Sequence, residues 1–440
     1  MKNLNKEYLD KAKKYIPGIS QLFGKRPELS LPGNDWPNYY SKAKGAIVWD
    51  LNNKKYIDFT MVGVGTSVLG YADNNISRKA IEVIKKGSIS TLNCHEDVDL
   101  AKILIDLHPW AGGVKFCRTG GESMSVAIRI ARAFTGKDKI LFCGYHGWHD
   151  WYMASNIRST KTLNYHLLPG IKPKGIPKNL KDSIIPFKFN DYNDLEKIVR
   201  KNAKKAAAIV LEPARERLVE KKFLKELKKI SKKNNCLLIL DEITSGWRII
   251  EAGVHRKLGV SPDMVVYGKT IANGIPMGAI IGKKKIMDVS LKTFISSVFW
   301  TERLGPACAL EFIKNYRKNR VNFKLIRIGK KVKQIWEKSA KKHDLKIEIS
   351  GLDPLASFSL QYKNWPTILT FFIQEMLLKH KIIASSRCYA NLKHTEKLLK
   401  YYAESVDKVF KKIKFHLKNG NIEKFIKGPV KQMGFNRLTK

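Results

Sequence analysis

CLLILDEITSGWRIIEAGVHRKLGVSPDMVVYGKTIANGIPMGAIIG, residues 236–282, contains three short apolar runs, CLLIL, MVVY and GAIIG, separated by polar and glycine-rich stretches. Short continuous apolar runs bounded by turn signals read as strands buried on both faces, the pattern of a parallel sheet covered by helices. Two of these runs end on a residue that carries chemistry. Asp241 closes CLLIL, and Lys269 follows MVVYG. Open α/β sheets bind their ligands at the carboxyl ends of their strands. The 28 residues from Asp241 to Lys269 suit a strand, a crossover helix and a second strand, so both groups can face one crevice.

The same alternation of apolar run and amphipathic helix extends outward from about residue 70 to 310. VKFCR (114–118), KILFCG (139–144) and AAAIVLEP (206–213) read as further strands. The flanks differ. GAIVWDLNNKKYIDF (45–59) reads as a hairpin turning near Asn52 and Asn53, and the chain beyond Leu310 is rich in helix with a few strands. The expected fold class is α/β: a large doubly wound domain with a mostly parallel sheet over 66–310, plus a smaller α+β domain. Both chain ends build the smaller domain, 1–65 and 311–440, the latter with a basic tail.

Asp241 would leave an apolar strand where an unpaired charge is costly, so it needs a cationic or N–H partner, either a structural Arg or a ligand. Lys269 at a strand mouth would be desolvated, which lowers its pKa and frees its amine for imine chemistry. A snorkelling surface lysine is the ordinary alternative. A third feature is TGGESMSVAIRIARAFTG (119–136), in which two glycines after a strand open a helix with Val126, Ile130 and Phe134 on one face. The exposed N–H groups of such a helix start bind phosphate. A carboxylate for a pyridine nitrogen, an amine for an aldehyde and a helix start for a phosphate together match the demands of pyridoxal phosphate.

Composition narrows the class. With 82 Lys and Arg against 39 Asp and Glu the formal net charge is +43, and 44% of residues are hydrophobic, which excludes a disordered chain. The charge falls in amphipathic stretches such as EKKFLKELKKISKKNN (220–235) and GKKVKQIWEKSAKKHD (329–344), read as solvated Lys-rich helix faces. No zinc-finger spacing, RNP-type motif or arginine-rich tail accompanies it, so no specific nucleic-acid partner is expected. The N-terminal stretch lacks an apolar leader, and the apolar runs fall short of the ~20 residues that cross a bilayer. Six scattered cysteines without a CxxC pair suit a reducing, cytoplasmic setting. Cys143, His146, His149 and Asp150 have the spacing C-x2-H-x2-H-D, but the grouping is local to one turn and no metal is expected. Trp148 and Trp151 read as pocket wall or core.

KAKKYIPG (11–18), KGAIVWDLNNKKYIDF (44–59), GGESMSVAIRIARAFTGKDKI (120–140), GYHGWHDWY (144–152), LEP (211–213), LILDEITSGWR (238–248), YGKTIANGIPMGA (267–279) and HTE (394–396) occur in this order along nearly the whole chain. As a set they resemble the class III aminotransferases, within the fold type I pyridoxal-phosphate enzymes, nearest the glutamate-1-semialdehyde aminomutase-like group. The resemblance implies that Lys269 carries the cofactor and Asp241 pairs with its pyridinium nitrogen. Tyr145 would stack on one ring face with His146 beside it among the cofactor-binding residues, and Ile243 would pack near the other face. Gly120 and Gly121 would offer backbone N–H groups to the phosphate, although Thr119-Gly120-Gly121 stands where the family often has Ser-Gly-Thr. The family takes a further phosphate contact, usually a Thr, from the neighbouring subunit of a homodimer. Val298 stands at that position, with Ser297 and Thr301 as the two substitutes. Glu212 falls where the family places an acidic residue near the substrate pocket; Arg387 lies near where a substrate anion could be held, with an exposed structural role as the alternative.

PGISQLFGKRPE (17–28) departs from the PGGVNSPVRAF-like stretch of the true aminomutases, with Leu22 and Lys25 in the places of its Ser and Arg. Together with GYHGWHDWY and the ending KGPVKQMGFNRLTK, it is similar to aminotransferases associated with surface-polysaccharide and modified-sugar pathways. The resemblance therefore implies an aminotransferase moving an amino group from an amino-acid donor, by family habit glutamate, to an aldehyde or ketone such as a sugar derivative. A 2,1-aminomutase is one alternative. A non-catalytic basic binding protein on a decayed scaffold is the other.

Overall fold

The computed structural model describes residues 3–33, 35–166 and 169–433, with only the backbone of Tyr165. The chain forms two compact units, one running to Asp73 and resuming at Phe323, the other spanning Asn74–Asn322. The first begins with strands β1 (Tyr40–Lys44), β2 (Ile47–Asp50) and β3 (Lys55–Phe59), antiparallel in sequence, with the expected turn between Asp50 and Lys55. The second holds β4 (Gly113–Cys117), β5 (Lys139–Cys143), β6 (Ile184–Pro186), β7 (Ala206–Leu211), β8 (Leu237–Asp241), β9 (Met264–Tyr267) and β10 (Gly278–Gly282). The chain then returns to the first unit with β11 (Ile347–Ser350), β12 (Leu355–Leu360), β13 (Ile382–Ala384) and β14 (Arg387–Tyr389). There β13 pairs in parallel with β3, and β11, β12 and β14 form a separate antiparallel sheet.

The seven-stranded sheet runs β4-β10-β9-β8-β7-β5-β6. Its β5–β6, β5–β7, β7–β8 and β8–β9 pairs are parallel, while β10 is antiparallel to both β9 and β4. The doubly wound, mostly parallel reading therefore holds. Side chains alternate between sheet faces along a strand. Phe142, Val210, Ile239 and Val266 join the core formed with the Gly120–Thr135 helix, while Leu141, Ile209, Leu238 and Val265, pointing the other way, are just as fully buried. Both faces are therefore covered, which is why these strands carry no polar alternation.

Parallel register aligns the strand ends. Cys143 lies opposite Leu211, Leu211 opposite Leu240, and Asp241 opposite Val266. Gly144, Glu212, Asp241 and the residues after Tyr267 thus leave the sheet along one edge. The crossover between β8 and β9 differs from a simple connecting helix. Only Val254–Leu258 is helical, and the preceding loop wraps the buried Glu242 carboxylate, which accepts from the Val254 and His255 amides at 2.9 and 3.0 Å and from Ser245 Oγ at 2.6 Å. Those partners spend the crossover on anchoring the end of β8 instead of on helix.

The Lys-rich stretch over 220–235 folds as the helix Lys221–Lys233, which buries Phe223, Leu224 and Leu227 and leaves Lys222, Lys225 and Lys229 in solvent. Among the described residues no helix is long and apolar enough to cross a membrane. Ile239, fully buried in the centre of β8, supplies a test of the sheet as the foundation of the unit. Ile239→Ala should lower unfolding free energy by about 2–5 kcal/mol, against roughly 0.5 or less for Lys225→Ala, measured by urea denaturation. Equal effects would contradict this placement of the core.

Candidate active site

Asp241 is held at the end of β8 by two donors. His146 Nδ1 lies 2.8 Å from its Oδ2, and the Ile243 amide donates to Oδ1 at 3.1 Å. Asp241 and His146 are almost completely buried, at 2% exposure each. Each carboxylate oxygen has two acceptor positions, so these contacts leave room for a further donor. His146 is placed by the turn that follows β5, and its Nε2 is a buried atom with no protein partner. The resemblance offers His146 as one of the cofactor-binding residues. The structure puts it behind Asp241.

Lys269 follows Gly268 at the end of β9 and is half-buried. Its φ of +45° lies in the left-handed region, which costs a residue bearing a Cβ about 1–2 kcal/mol, so the surrounding packing imposes the conformation. Nζ lies 2.8 Å from Thr244 Oγ1. Burial foremost, with the Arg215 guanidinium next, lowers the amine from its ordinary 10.5 to about 8, while Glu212 and Asp241 pull the other way and Arg248 adds to the lowering.

The Gly120–Thr135 helix begins beside this edge. Thr119 and Glu122 close a capping box: Thr119 Oγ1 accepts from the Glu122 amide, and Glu122 Oε2 takes the Thr119 amide at 2.8 Å. Gly120 and Gly121 occupy the first two helical positions, whose N–H groups have no acceptor within the helix. A Cβ at Gly120 would come 2.9 Å from Ile243 Cδ1, and one at Gly121 would come 3.0 Å from the His149 ring. Ile243 therefore packs between the helix start and Gly268, the residue before Lys269. The two glycines leave those backbone donors uncovered at the cradle without displacing Ile243 or His149.

Tyr145 lies between the ends of β5 and β7. Its amide donates to Glu212 Oε2 at 3.2 Å, and its ring meets Tyr152 edge-on at 6.0 Å. Glu212, buried after β7, accepts on Oε1 from Arg215 Nε and Nη2 at 2.9 and 2.6 Å. Arg215 is 5.6 Å from the Tyr145 ring centre and also donates to Thr244 Oγ1 at 3.3 Å. The sequence reading passed over both Arg215 and Thr244. Each stands three residues after a residue it did single out, Glu212 and Asp241 respectively, and that offset was the available signal.

The remaining candidates fall elsewhere. Ser297 and Thr301 are exposed on a short turn where Thr301 Oγ1 donates to the Val298 carbonyl at 2.8 Å. Among the described residues neither is hydrogen-bonded to Lys269, Asp241 or the helix start. Arg387 opens β14, in the other unit. Trp151 is core, whereas Trp148 is exposed, stacks on His149 and lies with its Nε1 beside Gly121, so of the two readings of Trp148 core is excluded.

A ring nitrogen, an aldehyde and a phosphate each find a matching group here: the second acceptor positions of Asp241, the lowered amine of Lys269 and the glycine-lined helix start. Residues 32–375 match the family model described as aminotransferase class-III. The chain belongs to the class-III aminotransferases. It is therefore an enzyme that works with pyridoxal phosphate. The chain is 28% identical, over 92% of its length and 96% of the relative's, to the 3-aminobutyryl-CoA aminotransferase of Cloacimonas acidaminovorans. It is 34% identical to the glutamate-1-semialdehyde 2,1-aminomutase of Nitrosopumilus maritimus, over 67% of this chain and 70% of that protein. The 2'-deamino-2'-hydroxyneamine transaminase of Streptomyces kanamyceticus is 26% identical over 84% of this chain and 91% of its own. Among solved structures, the PLP internal aldimine form of the Sphingopyxis sp. MTA144 FumI protein superposes with a TM-score of 0.84 at 24% identity, covering 94% of this chain and 97% of that one. The class-III aminotransferase fold is thus the fold type I arrangement expected from the sequence.

The lowered amine has a direct consequence in the cofactor-free enzyme. Trace labelling of Lys269 with acetic anhydride, read by peptide mass mapping, should rise with a midpoint near pH 8. A midpoint near that of ordinary lysine, 10.5, would contradict the desolvated site.

Proposed function

We propose that this aminotransferase takes an amino group from an amino-acid donor, glutamate first, and passes it to an aldehyde or ketone, with Lys269 and Asp241 as its catalytic residues. The observation that carries the reading is their placement at the carboxyl ends of neighbouring strands, Asp241 backed by His146 and Lys269 by Thr244. Bound pyridoxal phosphate supplies an aldehyde that takes amines and a ring that accepts an electron pair from the donor's α-carbon. Asp241, its oxygens engaged by His146 and the Ile243 amide, would hold a proton on the pyridine nitrogen. Lys269 Nζ, as a free amine, would take the proton from the donor's α-carbon and deliver it to the carbon that was the cofactor's aldehyde, across the nitrogen between them. Gly120 and Gly121 would bind phosphate through their amides, Tyr145 and Ile243 would flank the ring, and Glu212 would belong to the substrate side.

The acceptor proposed is a sugar derivative, supported by the aminoglycoside transaminase among the relatives. The aminomutase reading is kept as second because relatives carrying that name exceed 30% identity. The working form proposed is a homodimer. Leu291, Phe294, Val298 and Phe299 cluster in one segment with large exposed apolar side chains, Phe294 at 88%, and a second copy would cover them. Ser297 or Thr301 would then reach the partner's phosphate site. Six free cysteines, five of them buried, support a reducing, cytoplasmic compartment.

Glutamate added to the pyridoxal-phosphate-loaded enzyme should bleach its visible absorbance and release 2-oxoglutarate stoichiometrically. Release of none would favour the aminomutase. Asp241→Asn should lower kcat by about 10²-fold or more, and an unchanged kcat would overturn the role given to Asp241. Light scattering after gel filtration should give twice the chain mass, and Phe294→Asp should shift it toward the monomer.

A further inference from the structure

Arg215 sits one hydroxyl away from the amine at the centre of the site. Beyond β7 the chain makes a tight turn closed by an antiparallel bridge between Ala214 and Leu218. That turn sends Arg217 outward to the Phe189 carbonyl at 3.1 Å and sends Arg215 back toward the end of β8. There its Nη2 donates to Thr244 Oγ1 at 3.3 Å, and the same oxygen lies 2.8 Å from Lys269 Nζ. Thr244 is itself fixed, because Arg248 Nε grips its carbonyl at 2.6 Å and it is 2% exposed.

A hydroxyl between two nitrogens is not neutral about their protonation. A guanidinium is always charged and only donates, so it occupies a lone pair of Oγ1. If Lys269 is an ammonium it must donate to the same oxygen, and one hydroxyl then faces two cations. If Lys269 is a free amine, the hydroxyl proton can turn to its lone pair, and donor and acceptor alternate from Arg215 through Thr244 to Nζ. The charged groups facing Nζ are Arg215 and Glu212 from the turn after β7, and Asp241 and Arg248 from the loop after β8. The two carboxylates oppose the free-base form. Glu212 is itself paired with Arg215 on Oε1.

We propose that Arg215 is a positioning residue for Lys269: through the Thr244 hydroxyl it biases the amine toward its free base with its lone pair directed. The inference rests on the transamination reading for its purpose but not for its test. The same alternation would return Nζ to its resting place after each proton transfer.

Competitive acetic anhydride labelling of Lys269 in the cofactor-free enzyme measures the amine without any turnover. Arg215→Gln removes the cation and releases Glu212, so the labelling midpoint should rise by about one pH unit or more. Thr244→Val, close in shape, should also raise it, while Arg215→Lys should hold it near the wild-type value. If Arg215→Gln does not fold, as judged by circular dichroism, the Thr244→Val and Arg215→Lys pair carries the test. An unmoved midpoint in Thr244→Val, or in folded Arg215→Gln, overturns the proposal whatever happens to activity. A wild-type enzyme that never consumes an amino donor would instead count against the transamination reading and leave the titration result standing.

Discussion

A buried carboxylate must be paired, and Asp241 is paired before any ligand arrives. The His146 ring and the Ile243 amide engage its two oxygens at the end of a strand that is buried on both faces. Truncating a buried charge's partner typically costs 3–5 kcal/mol, so His146 cannot be lost without consequence for the sheet edge. The turn after β5 that carries His146 also carries Tyr145, and Tyr145 donates its amide to Glu212. One electrostatic requirement at β8 thus fixes the turn after β5 and, through Glu212, the turn after β7.

Behind that edge a second buried carboxylate does the same for the scaffold. Glu242 is fully buried and accepts from His255, Ser245 and two amides, and these contacts outweigh the rise that burial alone would give its pKa. The stretch from β8 to Val254 is therefore held in place without being helical. That anchoring presents Thr244 and Arg248 at fixed positions and brings β9 back so that Lys269 meets the Thr244 hydroxyl. Adjacent acidic residues divide the labour: Asp241 faces the site, and Glu242 holds the loop.

The strands of the large sheet were legible because continuous apolar runs have few other interpretations at that length. GAIIG over 278–282 was located to the residue, yet its antiparallel sense was not, since composition does not encode direction. The edge strand Ile184–Pro186 was also invisible, being three residues long and closed by a proline. At the site, Asp241, Lys269 and the double glycine announced themselves by following strands. Arg215 did not, because its return depends on a bridge between Ala214 and Leu218 that no pattern in LEPARERL reveals. The net charge of +43, the loudest feature of the composition, is distributed largely over helix faces such as Lys221–Lys233, while at the site only Lys269, Arg215 and Arg248 among the groups named above draw on it.

In a chain so rich in lysine, Lys269 is set apart by its place beside Thr244 at the strand ends that carry Asp241, since burial lowers Lys431 to about 8 as well. Borohydride reduction of the pyridoxal-phosphate-loaded enzyme, followed by peptide mass mapping at stoichiometric cofactor, locates the amine that carries it. The account predicts a single phosphopyridoxyl group on the peptide containing Lys269. Label spread over the exposed lysines, or fixed on another buried one, would contradict it.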